Sequence, residues 1–136
     1  MNYLLDTNVC IALINGTSGK VRSRFLQATR AGASLTTSAI VVHELWYGVE
    51  KSQQAQGNAL ALTAFLTRNV AVIDFSANDA QAAGEIRAEL ERRGTRIGEY
   101  DTLIAGQALS RNLVLVTANT REFGRVKALV VEDWTR

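Results

Sequence analysis

Four oxygen-bearing side chains stand in this sequence where an alternating α/β chain would bring them to one crevice. Asp6 ends the apolar run Leu4-Leu5 and is followed by Thr7-Asn8; a carboxylate there gains nothing from a core and must face the end of a strand. Glu44 lies about two turns into a helical stretch that follows a second β-rich run. Asp101 opens the helical stretch behind Gly98, and Asn119 follows the apolar run Leu113–Val116 in Thr117-Ala118-Asn119. Three carboxylates in a partly dry site repel one another and raise at least one pKa unless a cation neutralises them. Hard oxygen ligands of this kind suit Mg²⁺ or Mn²⁺, which keep several waters and accept substrate phosphates as further ligands. That combination is the machinery of phosphodiester hydrolysis, in which the cation activates water, aligns it with phosphorus and stabilises the leaving oxygen. It needs no histidine base, in keeping with a chain whose only histidine is His43.

The elements that must position these groups are legible from periodicity. Strands are expected at 2–5, 34–37, 70–73, 113–117 and 129–132. Helices are expected at 8–15, closed by Gly16, at 21–30, from the Ser38 cap to about Lys51, at 58–68, from Ser76 to Gly94, and at 101–111. Ile40, Val41, Leu45 and Val49 recur at helical spacing behind Ser38. Ser76-Ala77-Asn78-Asp79 has the spacing of a capping box, with Ala80, Ala83, Ile86 and Leu90 as the apolar stripe behind it. Strands that are apolar throughout, separated by helices, imply a parallel sheet covered on both faces. The expected fold is therefore α/β, a three-layer α/β/α sandwich around a central parallel sheet, and in such sheets ligands bind beyond the carboxyl ends of the strands.

Composition narrows the class. A length of 136 residues fits one domain, taken as residues 1–136. A lone cysteine, Cys10, rules out an intrachain disulfide, and with a single histidine a Cys/His zinc site is excluded as well. The chain is 47% hydrophobic and 21% charged, the balance of a globular protein. No apolar run approaches the ~18 residues of a membrane span, and the start of the chain does not read as a signal peptide. The cytoplasm is the expected compartment. Net charge is only +2, yet twelve of the fifteen basic residues are arginine, the side chain that grips phosphate bidentately. That bias suits a nucleic-acid partner, although genome composition alone also produces it.

Read singly, Asp6 and Asp101 have an ordinary alternative as helix caps, Glu44 as a solvated helix residue, and Asn119 as a turn former. Taken in order, the motifs resemble the VapC toxins of bacterial type II toxin–antitoxin systems, members of the PIN-domain nucleases. The resemblance runs through Tyr3-Leu4-Leu5-Asp6-Thr7-Asn8, His43-Glu44-Leu45-Trp46-Tyr47-Gly48, Gly84-Glu85-Ile86-Arg87-Ala88-Glu89-Leu90, Ile97-Gly98-Glu99-Tyr100-Asp101-Thr102 and Val116-Thr117-Ala118-Asn119-Thr120-Arg121-Glu122-Phe123, and closes on Val131-Glu132-Asp133-Trp134. It implies that Asp6, Glu44 and Asp101 are catalytic acids and ligands of Mg²⁺ or Mn²⁺. Asn119 matches the fourth site position, often Asp in the family, so here it would orient a water or an acid. Thr7 and Thr117 would be hydroxyls supporting the ligands. The implied activity is endoribonuclease cleavage of RNA, first of all a tRNA anticodon stem-loop. The implied partners are a VapB-like antitoxin, operator DNA reached through that antitoxin, and a second copy of the chain, with no membrane. Gly98-Glu99 departs from the family's frequent Gly-Pro, adding a carboxylate and freeing the backbone that proline would fix.

Other residues are weighed against plainer roles. His43 and Glu44 point about 100° apart on a helix, which argues against a His–Glu base pair. Trp46, Tyr47 and Trp134 could stack on bases, or belong to a partner groove or the core. Arg87, Arg92, Arg93 and Arg96 form either a phosphate track or solvated ion pairs, and Arg121 and Arg125 flank the Asn119 turn as candidate RNA contacts. Cys10 reads as a small buried residue. Two other classes stay open: a non-catalytic PIN-like subunit that dimerises and tethers an antitoxin on DNA, and a small phosphohydrolase with Asp6 as nucleophile. Asn8 counts against the latter, because it stands where a second acid would be needed.

Overall fold

Leu4 and Leu5 have no exposed surface although adjacent strand residues point to opposite faces, so their strand must be covered on both sides. That strand, β1 (Asn2–Leu5), is the centre of a five-stranded, all-parallel sheet ordered β3-β2-β1-β4-β5. The other strands are β2 (Ser34–Ser38), β3 (Ala71–Ile73), β4 (Val114–Val116) and β5 (Val131–Glu132). The structure is a computed structural model and describes residues 1–136. Seven helices connect the strands: α1 (Thr7–Asn15), α2 (Gly19–Arg30), α3 (Ala39–Lys51), α4 (Ala55–Arg68), α5 (Ala77–Arg92), α6 (Glu99–Ser110) and α7 (Thr120–Phe123). The result is the α/β/α sandwich with a parallel sheet that the alternation of runs implies.

Registers place the ends of three strands side by side: Leu5 pairs with Thr37 of β2 on one side and with Val116 of β4 on the other. The Asp6 N–H still donates to the Val116 carbonyl at 3.1 Å. The chain leaves β1 toward β2 but returns to its opposite side as β4, so strand order reverses at the β1/β4 boundary, where open sheets hold their ligands. The buried threonines of β2 do not strand their hydroxyls, since Thr36 donates to Tyr3 O at 2.6 Å and Thr37 to Leu5 O at 2.8 Å.

Helices α5 and α6 pack closest. A Cβ added at Gly106 would lie 2.6 Å from the Ala83 backbone, so only glycine permits this approach. Their ends are tied by Asp79, which is 1% exposed. Asp79 closes the α5 capping box with Ser76 and accepts from Ser110, Gln107 and both nitrogens of the Arg111 fork. Burial works against that charge, but the Arg111 guanidinium, the Ser110 hydroxyl and the Ser76 groups outweigh it and hold the carboxyl well below the usual carboxylate range. This lock fixes the axis of α6 and hence the position of Asp101 near its other end.

The differences from the sequence reading are local. α2 begins at Gly19 because Ser18 caps it through Val21 N, and α4 begins three residues early, at Ala55, without a side-chain cap. α6 starts at Glu99, so Asp101 is its third residue and not its opening one. The short helix α7 was not expected at all. Trp134 is buried, edge-on to Tyr3 at 5.2 Å, and donates to Glu132 at 3.0 Å; it belongs to the core and cannot stack on a base. No helix is long and apolar enough to cross a membrane.

Candidate active site at the carboxyl edge of the sheet

Asp6 leaves β1 as the N-cap of α1, its Oδ1 accepting from Val9 N at 2.9 Å. It is 7% exposed. Burial raises its pKa, opposed by the Thr117 hydroxyl and the Val9 N–H, and the nearby Glu44 charge raises it further. Glu44, half-buried on α3, accepts from the Thr7 hydroxyl at 3.1 Å. Asp101 does not cap α6: Gly98 holds that position, and its carbonyl accepts from both Thr102 N and Thr102 Oγ1 at 2.9 Å. The Asp101 carboxyl is pushed up to about 6 by burial, then by the charge and hydrogen-bonding reach of Glu122, then by Glu44 and Asp6. Asn119 directs its backbone N–H to Thr117 Oγ1 and its amide nitrogen to Glu122 Oε2, both at 3.0 Å.

Asp6, Thr7, Glu44, Asp101 and Asn119 therefore line one cleft of about 130 Å³, walled by Ile104 and Phe123. Glu122 stands behind Asn119 and against Asp101, and the sequence reading missed it. Its signal was present, because Asn119-Thr120-Arg121-Glu122 has the spacing of a helix cap followed by an acid three residues later. None of these acids forms an ion pair, whereas six ion pairs lie elsewhere in the chain. The site is a concentration of uncompensated negative charge. No three carboxylates converge as a ready-made protein cage; a small hard cation needs only one or two of them with waters and a phosphate.

The surrounding basic residues divide. Arg87 pairs with Glu91, and Arg92 and Arg93 pair with Glu89. Arg125 donates to the Arg96 carbonyl at 2.9 Å, and its own carbonyl accepts from Arg93 at 2.7 Å. Arg121 and Arg96 are exposed and have no carboxylate partner. His43 is exposed and does not line the cleft. Cys10 is buried, and desolvation pushes its thiol up to about 12, which makes it inert.

This geometry, a parallel sheet with acids gathered where strand order reverses, has close counterparts. The sequence matches the PIN domain family over residues 3–129. It is 42% identical to the tRNA(fMet)-specific endonuclease VapC of Shigella flexneri over 99% of both chains. It is 40% identical to ribonuclease VapC2 of Rickettsia felis over the whole of both. The VapBC2 structure from Rickettsia felis bound to a promoter DNA fragment superposes with a TM-score of 0.92 at 39% identity, covering 98% of this chain and 99% of that one. DNA-bound VapBC from Salmonella typhimurium gives 0.90 at 41% identity over 98% of each. The chain belongs to the PIN-domain family and, within it, to the VapC ribonucleases.

Proposed function

We propose that this chain is the toxic component of a type II toxin–antitoxin system, a divalent-metal-dependent endoribonuclease that cuts a structured RNA, with a tRNA anticodon stem-loop as its substrate. One observation carries the reading: Asp6, Glu44 and Asp101 line one cleft at the carboxyl edge of the sheet with no basic side chain in its lining, a crowding that, with burial, pushes the Asp101 carboxyl up to about 6. Acids so crowded, with no basic side chain among them, fit Mg²⁺ or Mn²⁺ by charge and by ligand hardness. Asp6, Glu44 and Asp101 are the residues from which it would draw its one or two carboxylate ligands, with Glu122 beside Asp101.

When bound, the cation supplies an activated water and charge neutralisation at the phosphate. The chain's residues prepare for that. Burial raises the Asp6 pKa, and the Thr117 hydroxyl and the Val9 N–H oppose that rise. Thr7 steers Glu44, and the Asn119 amide steers Glu122. Below about pH 6 Asp101 retains its proton, and above it the cleft gains a negative charge that a cation would meet. Ile104 and Phe123 limit water on the inner wall of the cleft. Arg121 stands free to meet the RNA backbone, and the Arg125 guanidinium fastens the segment after α7 to the Arg96 carbonyl.

The relatives solved as VapBC complexes on DNA support a VapB-like antitoxin partner, operator DNA held through that antitoxin, and a homodimeric toxin in the cytoplasm, folded as one PIN domain over residues 1–136. An apolar groove of about 280 Å³, lined by Ile11, Ile14, Leu45, Val49 and Leu62, shares Glu44 with the acid cleft; an antitoxin segment seated there reaches the acids. The test is incubation of antitoxin-free protein with tRNA and Mn²⁺. Asp6→Ala and Asp101→Asn should abolish cleavage while leaving the circular dichroism spectrum unchanged. Wild-type activity in either variant would overturn the reading.

A further inference from the structure

Two exposed rings stand one residue before two of the cleft acids, and neither belongs to the hydrophobic core. His43 precedes Glu44 on α3, and Tyr100 precedes Asp101 on α6. Their ring centroids are 5.5 Å apart, with planes inclined at 55°. Tyr100 is 50% exposed and His43 is exposed too. Neither side chain makes a hydrogen bond or joins the hydrophobic core. Two different helices thus each present an acid and, one position earlier, a ring. Neighbouring helical positions diverge by about 100°, so the rings stand beside the cleft and not inside it, and the ring pair keeps a fixed offset from the acids.

We propose that His43 and Tyr100 together form a ledge on which an unpaired base next to the scissile phosphate stacks, so that they position the RNA strand. The proposal rests on the nuclease reading above and adds the element that orients its substrate. An unpaired nucleotide offers a flat π-face to aromatic side chains, a mode that RNA-binding proteins use widely. A peptide partner has the apolar groove beside Glu44 for its side chains, whereas the tilted pair offers only two small open ring surfaces, suited to a planar base. The rings do not touch the reacting atoms, and their effect belongs in substrate binding.

The experiment compares wild type, His43→Ala, Tyr100→Ala and Tyr100→Phe on a synthetic tRNA anticodon stem-loop with Mn²⁺. A second RNA series carries an abasic nucleotide at each position flanking the cut. Stacking on a base contributes about 1–3 kcal/mol, so Tyr100→Ala should raise KM about 5- to 150-fold with kcat little changed. Tyr100→Phe, which keeps the ring, should restore KM. At one flanking position the abasic RNA should be equally poor for wild type and Tyr100→Ala, since the same contact is lost twice. An unchanged KM in Tyr100→Ala, or losses that add at every abasic position, overturns the ledge while leaving the nuclease reading intact. Unchanged cleavage with weakened hold on the co-expressed antitoxin also overturns it and gives the rings to the protein partner. Failure of the wild type to cut any RNA removes the nuclease reading, and the ledge with it.

Discussion

At the scale of single residues, the acid cleft sets stability against function. Asp101 has its pKa raised from 3.8 to about 6 in the folded chain. Between those values the folded state binds more protons than the unfolded one, so metal-free stability falls as pH rises from about 4 to about 6. Asp101→Asn removes that penalty: without metal it should melt higher than wild type at pH 7 and show no such slope, and it should not cleave RNA. Thermal denaturation across pH in a chelating buffer checks this, and equal melting curves would show that the crowding costs nothing. That Asp6, Glu44 and Asp101 would share one cleft was legible because Asp6 ends a strand and the other two stand on helices that the periodicity marks. Glu122 had only the cap spacing from Asn119 to announce it, because four helical residues are too few for a periodic signal and Thr117-Ala118-Asn119 reads as a turn. Asn119 was singled out for an acid-orienting role, and its amide lies on Glu122, an acid the sequence reading had passed over.

Elements hold the cleft open through the packing of α5 on α6. Gly106→Ala forces a methyl to within 2.6 Å of the Ala83 backbone, and a backbone cannot rotate away as a side chain can. The expected loss is about 1–3 kcal/mol, read by urea denaturation. Arg111→Ala removes the fork from Asp79, which is 1% exposed, and should also cost about 1–3 kcal/mol, because Ser110, Gln107 and the Ser76 N–H still donate to the carboxylate. The folded Asp79 carboxyl is held below its usual range. Its contribution is therefore complete above about pH 4 and fades as pH falls further; Arg111→Ala and wild type should converge in strong acid. The Ser76–Asp79 box was readable from spacing, but the Arg111 partner 32 residues away was not. The starts of α2, α4 and α6 shifted by two or three residues for a related reason: Ser18 was not read as a cap, and α4 and α6 begin without any side-chain cap to announce them.

The whole molecule separates a hydrophobic framework from an acidic edge, where the proposed cation would sit. Its core cluster of 24 buried residues, from Leu4 to Trp134, includes none of the cleft acids. Chelation should therefore leave the far-ultraviolet circular dichroism spectrum unchanged while abolishing cleavage. A cooperative loss of helix in chelator would mean that the cation is structural. The sheet order was not evident from the strand pattern, because periodicity gives each strand's existence but not its neighbours. What the pattern did contain was the consequence, since in any order of this class Asp6 after β1 and Asn119 after β4 lie at the carboxyl edge. Nuclease action at the acid cleft is decided by mapping every new RNA end after incubating total small RNA with antitoxin-free protein and Mn²⁺. Wild type should cut at one or a few positions, with no cuts in chelator or by Asp6→Ala. Intact RNA from folded, metal-loaded protein, or cuts that persist in Asp6→Ala, would contradict it.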